Sequence, residues 1–163
     1  MIPIAPDGLH GFAFQTGTWR VRHRKLKRRL AGETAWWEFE GSCCAWEILD
    51  GAGNLDDHLI PDPNGAYRAA TLRTLDRKTG TWSIYWADQR ATELAPPLRG
   101  RFENGVGLFH GDDEFEGKPI RVRFIWSEMT PDHARWEQAF SPDAGATWEV
   151  NWVMSFERTA AAR

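Results

Sequence analysis

The fold of this chain is indicated most clearly by the stretch Ile120-Arg-Val-Arg-Phe-Ile-Trp-Ser-Glu128. Its even-numbered residues are apolar or aromatic as far as Trp126, and the residues between them are mostly polar. Successive side chains of a β-strand point to opposite faces, so this period of two predicts a strand with one buried and one wet face. The same pattern recurs at 81–88, 135–140 and 148–156. Strands that are wet on one side only are typical of antiparallel sheets.

Turn-forming residues separate these stretches, for example Asp62-Pro-Asn-Gly65, Asn104-Gly105 and Glu116-Gly117. Their spacing predicts about ten strands, near 18–30, 35–49, 54–61, 66–75, 81–89, 97–103, 106–115, 119–129, 134–141 and 148–158. Helical periodicity is weak, and only Pro6 to Gln15 is expected to form a short helical turn. Short loops pair consecutive strands, and closure removes exposed sheet edges. We therefore predict one all-β domain over residues 1–163, a closed antiparallel up-and-down barrel.

Composition excludes several classes of protein. With 42% hydrophobic and 26% charged residues, the chain resembles ordinary globular domains rather than disordered or fibrous ones. A net charge of −3 offers no broad positive field for nucleic acid or an anionic membrane. No long apolar run is present, and the start of the chain at Met1 lacks the pattern of a secretory signal. A cytoplasmic location is expected.

A basic run from Arg20 to Arg29 is the local exception to this charge balance. Alternation places Arg20, Arg22 and Arg24 on the solvent face of the first strand, where carboxylates of the next strand, Glu38 and Glu40, can pair with them. A contact surface for nucleic acid, another protein or a second copy is the alternative. Unpaired edges near this long strand make a homodimer possible.

No metal site is expected from the sequence. Cys43 and Cys44 are adjacent, which disfavours a structural disulfide, and they have no zinc-ligand spacing. The acidic residues between Asp112 and Glu116 alternate between faces, which favours a solvated edge over a cation site.

Tryptophan is unusually frequent, with ten residues against two tyrosines. An aromatic lining with a few polar groups is how proteins bind flat apolar molecules, although the same rings could simply fill the barrel. The residues expected to line an inner cavity are Trp19, His23, Trp82, Trp86, Asp88, Phe124, Trp126, Trp136, Gln138, Trp152 and Met154.

Polar residues on this inward face suggest two further kinds of chemistry. Asp88 and Glu128 continue aromatic alternations, and a carboxyl desolvated among tryptophans has a raised pKa and can act as a general acid or base. Both also fall at strand ends, where they could be solvated. Haem needs only one axial histidine, which His23 or His110 could supply.

The segment Phe12-Ala-Phe-Gln-Thr-Gly-Thr-Trp19 places a Gly-x-Trp at the start of the first strand. Together with Thr81-Trp-Ser-Ile-Tyr-Trp-Ala-Asp88 and Arg135-Trp-Glu-Gln-Ala-Phe140, it resembles a family of small bacterial lipocalin-like, or calycin-type, proteins. The resemblance implies a closed barrel with a central pocket. Related barrels include carriers of fatty acids and other small apolar molecules, haem-binding nitrobindins, and a few isomerases and cyclases.

The leading hypothesis is therefore non-catalytic binding of a small apolar or aromatic molecule in a tryptophan-lined cavity, without a cofactor. The first alternative is an isomerase or cyclase in which Asp88 or Glu128 transfers a proton. The second is a haem-binding barrel of the nitrobindin type.

Overall fold

The computed structural model describes residue 5 and residues 7–160, which form ten β-strands and two 3-10 turns. The strands are β1 (Gly17–Leu26), β2 (Trp36–Ile48), β3 (Gly53–Ile60), β4 (Tyr67–Asp76), β5 (Thr81–Asp88), β6 (Leu98–Glu103), β7 (Val106–Phe115), β8 (Lys118–Ser127), β9 (His133–Ser141) and β10 (Glu149–Ala160). The turns are Ala13–Gln15 and Leu49–Gly51. Pro6, at the start of the predicted helical turn, lies outside the described residues. Neither turn has the length and apolarity to cross a membrane.

The strands close into an antiparallel up-and-down barrel, in which β1 pairs with both β2 and β10. This confirms the predicted all-β closed barrel. Because β1 is hydrogen-bonded on both sides, the free edge that was expected to favour a homodimer does not exist in the described barrel.

The first strand is shorter than predicted, since it ends at Leu26 instead of near residue 30. The chain then turns back, with Leu30 at a φ of 53° and the Lys27 N–H donating to the Ala35 carbonyl at 3.0 Å. The basic run is thereby divided into an outward-facing part on β1 and a loop at the barrel opening. On β1, Arg20 and Arg24 reach Glu40 and Glu38 at 3.2 and 3.1 Å, which confirms the predicted cross-strand pairs.

The predicted alternation is confirmed along β8, where Ile120, Val122, Phe124 and Trp126 are all buried. Its continuation to Glu128 is wrong. The strand ends at Ser127, Glu128 has a φ of 53°, and its side chain is 63% exposed. A residue with positive φ leaves the pleat, so its side chain no longer follows the inward face.

One end of the barrel is closed by the segment before β1. The ring of Phe12 lies 5.0 Å from Trp82 and 4.9 Å from Phe102, both edge-on. Beside it, the Arg158 guanidinium lies 4.1 Å from the Trp19 ring centre and donates to the Phe14 carbonyl at 2.9 Å. These contacts fill the barrel floor with aromatic side chains.

The other end is bounded by the loops at 27–35, 61–66, 89–97 and 142–148 and by the turn at 116–117. Pairing between β5 and β6 covers only Trp82↔Gly100, Ser83↔Arg99 and Ile84↔Leu98. The upper part of β5 is met instead by the loop after it, whose Ala95 N–H donates to the Trp86 carbonyl at 2.9 Å.

Candidate binding cavity

A cavity of about 530 Å³ opens at this end of the barrel. Pockets for small molecules typically measure roughly 300 to 1,000 Å³. Its apolar wall is formed by Ile84, Trp86, Leu98, Val122, Phe124, Trp136, Phe140 and Trp152. The cavity is therefore large enough for a small molecule. Its lining combines this apolar wall with charged side chains that include Lys25, Arg29, Arg90, Asp113 and Glu116.

Three tryptophans hold one another in place in this wall. The Trp152 ring lies 5.4 Å from Trp136 at 90° and 5.8 Å from Trp86 at 78°. Edge-to-face contacts of this kind contribute a favourable energy in addition to that gained by burying the apolar area of the rings. Trp86 Nε1 donates to Asp88 Oδ2 at 3.0 Å, and Trp152 Nε1 donates to His23 Nδ1 at 3.1 Å. Two of the three rings are thus fixed by hydrogen bonds as well as by packing.

The residues singled out in the sequence fall into two layers. The cavity wall includes Trp86, Phe124, Trp136, Gln138 and Trp152. The remaining members lie outside that wall: Trp19, His23, Trp82, Asp88, Trp126 and Met154. Most of these outer members are packed below the cavity, where they fill the barrel and support the wall.

His23 supports the wall from beneath. Its ring stacks on Phe39 at 4.7 Å, and its Nδ1 accepts the Trp152 hydrogen bond. Burial, reinforced by the nearby His58 and Lys25, lowers the pKa of His23 from its usual 6.5 to about 3. The imidazole is therefore neutral at pH 7, which suits an acceptor at Nδ1.

Asp88 positions other side chains and lacks the raised pKa expected of a desolvated acid. Arg90 donates to both of its carboxylate oxygens, at 3.1 and 3.0 Å. These bonds lower the pKa of Asp88 to about 2, although partial burial opposes the shift. With Glu128 exposed, neither carboxyl has the environment that the enzyme hypothesis needs.

The haem hypothesis needs an imidazole in the cavity wall. Among the residues that the structure describes, no histidine lines this cavity. His23 lies beneath Trp152, and His110 lies beside Trp148 with 5.7 Å between ring centres. The residues present thus do not fit an axially ligated haem at this position.

A buried ionic cluster, not anticipated from the sequence, lies between the cavity and the floor. Arg73 Nη2 is 2.8 Å from Asp56 Oδ2, and Arg73 Nη1 donates to Asn54 Oδ1 at 2.6 Å. Asp56 also accepts from Gln15 Nε2 at 3.0 Å and from the Thr71 N–H at 2.9 Å. Although burial by itself opposes it, the Arg73 guanidinium holds the pKa of Asp56 well below its usual range.

Cys43, Asp56 and His58 offer three ligand atoms within 4.8 Å of one another, so we tested this cluster as a metal centre. Asp56 is already paired with Arg73, whose positive charge would repel a cation. Burial, together with Asp56, raises the pKa of the Cys43 thiol, which disfavours the thiolate that a metal requires. The cluster fits a structural ion pair better than a metal centre.

Cationic side chains lie over the aromatic wall at the opening. Lys25 Nζ is 2.6 Å from Asp62 Oδ2 and 4.5 Å from the Trp152 ring centre. Arg90 lies 3.5 Å above the Tyr67 ring. Sequence reasoning missed both cations as cavity residues, although the alternation on β1 that places His23 inward also places Lys25 inward.

Comparison with protein-family models finds no family that matches this chain, and no curated protein matches it. The cavity is therefore interpreted from its own residues.

Proposed function

We propose that this protein is a lipocalin-like binding protein that holds a small apolar or aromatic molecule in its barrel without reacting with it. The observation that carries the proposal is the cavity of about 530 Å³, open at one end and walled by Trp86, Trp136 and Trp152. A ligand that covered this wall would remove apolar surface from water, which contributes roughly 25 cal/mol per Å² before the costs of association.

The construction of the wall supports the same function. The Nε1 groups of Trp86 and Trp152 are already bonded to protein acceptors, so these rings can offer apolar surface without leaving a donor unpaired. Rings held by edge-to-face contacts need little reordering when a ligand binds, which lowers the entropic cost of binding. Nothing comparable favours the isomerase or cyclase alternative, because Asp88 is ion-paired and Glu128 faces solvent.

The test is a titration of intrinsic tryptophan fluorescence with a fatty acid, a flat polycyclic aromatic, a flavonoid and haemin. Saturable quenching near one equivalent by any of them is the expected result. Absence of a response to all four would overturn the proposal.

A matched pair of variants locates the binding. Trp136→Phe is expected to weaken binding about two- to twelvefold, because one aromatic contact contributes roughly 0.5 to 1.5 kcal/mol. Trp46→Phe is the control, since Trp46 is 41% exposed and does not line the cavity. Equal effects of the two variants on affinity, measured by calorimetry, would show that the ligand binds elsewhere.

A further inference from the structure

Arg29 is a positive charge at the cavity opening, and no carboxylate of residues 7–160 neutralises it at close range. It lies in the loop after β1 and lines the cavity, with its guanidinium 5.3 Å from the Phe140 ring centre. In the described part of the chain, its side chain makes no hydrogen bond and no ion pair within 4.0 Å. Desolvation lowers the pKa of Arg29, yet a guanidinium stays protonated at neutral pH.

The carboxylates nearest to Arg29 are engaged with other groups. Asp62 pairs with Lys25 at 2.6 Å, and Glu149 accepts the Leu30 N–H at 2.8 Å. Arg90 adds a repulsive charge near Arg29, and its own carboxylate partner is Asp88. Lys27 also lines the cavity without a carboxylate partner among the described residues, but it is exposed and lies 4.1 Å from the Trp37 ring centre. Arg29 is thus the more buried of the two cations at the opening that remain available for an anion.

Two acids on the far side of the opening do not compensate for Arg29. Asp113 on β7 and Glu116 in the following turn also line the cavity. The barrel order places the β7–β8 hairpin two hairpins away from the loop that carries Arg29. The ionisable groups that act on Arg29 are Tyr67, Asp62, Arg90 and Glu149, and neither of these two acids is among them.

We propose that the cavity takes an amphipathic carboxylate, with its apolar body against the tryptophan wall and its carboxylate on Arg29. This inference rests on the proposed binding function and adds the chemical class of the ligand. The planar guanidinium presents two parallel N–H donors that match a carboxylate, and hydrogen bonds between charged groups are stronger than neutral ones. A bound anion would also offset the cost of withdrawing Arg29 from water.

The layering of the opening sets the orientation of such a ligand. Lys25 Nζ lies 4.5 Å from the Trp152 ring, so the cationic layer rests directly on the aromatic wall. An acid group near Arg29 leaves the attached chain or ring pointing inward, toward Trp136 and Phe124. The reverse orientation would place the carboxylate among the rings of the wall, away from the Arg29 guanidinium.

The experiment is isothermal calorimetry at pH 8 with three ligands that share one apolar body: decanoate, decan-1-ol and decylammonium. Wild type is expected to bind decanoate at least about tenfold more tightly than the other two, the ratio that corresponds to 1.4 kcal/mol. Arg29→Gln is expected to abolish this preference, because its affinity for decanoate falls to about its affinity for decan-1-ol. Retained binding of decan-1-ol also shows that the variant is folded.

Arg24→Gln is the matched control, because it removes the same charge from the outer face of β1, where Arg24 pairs with Glu38 at 3.1 Å. It is expected to keep the preference for decanoate. Equal affinities of wild type for decanoate and decan-1-ol would overturn the inference and leave the binding function intact. A preference that survives Arg29→Gln would likewise overturn it.

If wild type binds none of the three decyl compounds, the fluorescence panel separates two cases. Binding of any panel member would overturn the inference about the carboxylate and support the proposed binding function. If no panel member binds, both the inference and the proposed function are overturned.

Discussion

The closed and open ends of the barrel use the same kinds of side chain with opposite results. Near the floor, Arg73 pairs with Asp56 at side-chain exposures of 4% and 0% and lies 4.8 Å from the Phe12 ring. At the opening, Arg90 pairs with Asp88 but is 55% exposed, and Arg29 has no pair among the described residues. The ion pair near the floor is buried beneath packed rings, whereas the opening keeps both a free charge and a cavity.

The difference arises from what covers each end. The segment before β1 inserts Phe12 among Trp82, Phe102 and Phe109, and Gln15 reaches Asp56. The loops at the opening run around the rim and leave about 530 Å³ between them. At the closed end, the segment before β1 completes the packing of the aromatic residues, which therefore stabilise the fold. At the open end no segment of the described chain covers them, and they are available to contact a ligand.

The largest expected effect comes from Arg73→Met, which leaves the Asp56 carboxylate buried without its cation. Breaking a buried ion pair in this way costs about 3 to 5 kcal/mol of unfolding free energy. Arg68→Met is the control, because Arg68 pairs with Asp57 at 2.9 Å between the same two strands, but at exposures of 55% and 46%. That exposed pair is expected to contribute under about 1 kcal/mol. Urea unfolding measures the free energy of unfolding of both variants, provided that the dependence on urea concentration is the same as in wild type. Similar losses of free energy in the two variants would show that the buried and the exposed ion pair do not differ in their contribution to stability.

Phe12→Ala and Phe140→Ala compare the two ends by cavity formation. Truncating Phe12, which is fully enclosed by rings, is expected to cost about 3 kcal/mol, since the surrounding rings cannot collapse into the space. Phe140 borders the existing cavity, so its truncation is expected to cost roughly half as much. Thermal and denaturant unfolding of the two variants and wild type, measured under the same conditions, show which truncation lowers the free energy of unfolding more. A larger loss at Phe140 would mean that the opening, and not the floor, holds the barrel together.

The smallest effect concerns His23, which lies between the two ends. Its folded pKa of about 3 is below the usual 6.5, so the unfolded chain takes up the proton first as the pH falls. Its contribution to stability is therefore present above pH 6.5 and is lost between there and about pH 3. At pH 5.5, one unit below the usual pKa, the loss is roughly 1.4 kcal/mol relative to pH 8.

Comparison with His23→Phe isolates this contribution, because the other titrating groups are common to both proteins. The charged groups that act on His23 are His58, Lys25 and Asp62, and all three remain in the variant. The variant is expected to lose less stability between pH 8 and 5.5 than wild type. Parallel curves would mean that His23 is protonated equally in the folded and unfolded states.

The strands were predictable because their signal is local. Along β8 every second residue is apolar, and β7 begins and ends where its turns predict, at Val106 and Phe115. The buried ion cluster gave no such signal, since Asn54, Asp56 and His58 alternate like a solvent face. They are buried because the register of β3 with β4 sets Arg73 opposite Asn54. A polar stripe faces inward only when a partner strand supplies the opposite charge.

The sequence by itself determined the ten strands, their inward aromatic faces and the tendency to close, because these depend on side-chain period and short turns. Tertiary structure alone decided which end is plugged, which carboxylates are engaged and where space remains. Lys25 meets Asp62 across 37 residues of chain, and Arg29 comes to rest against Phe140 from the opposite end of the sequence. Such contacts are set by the closure of the barrel, so a cavity with an uncompensated charge becomes visible only in the folded protein.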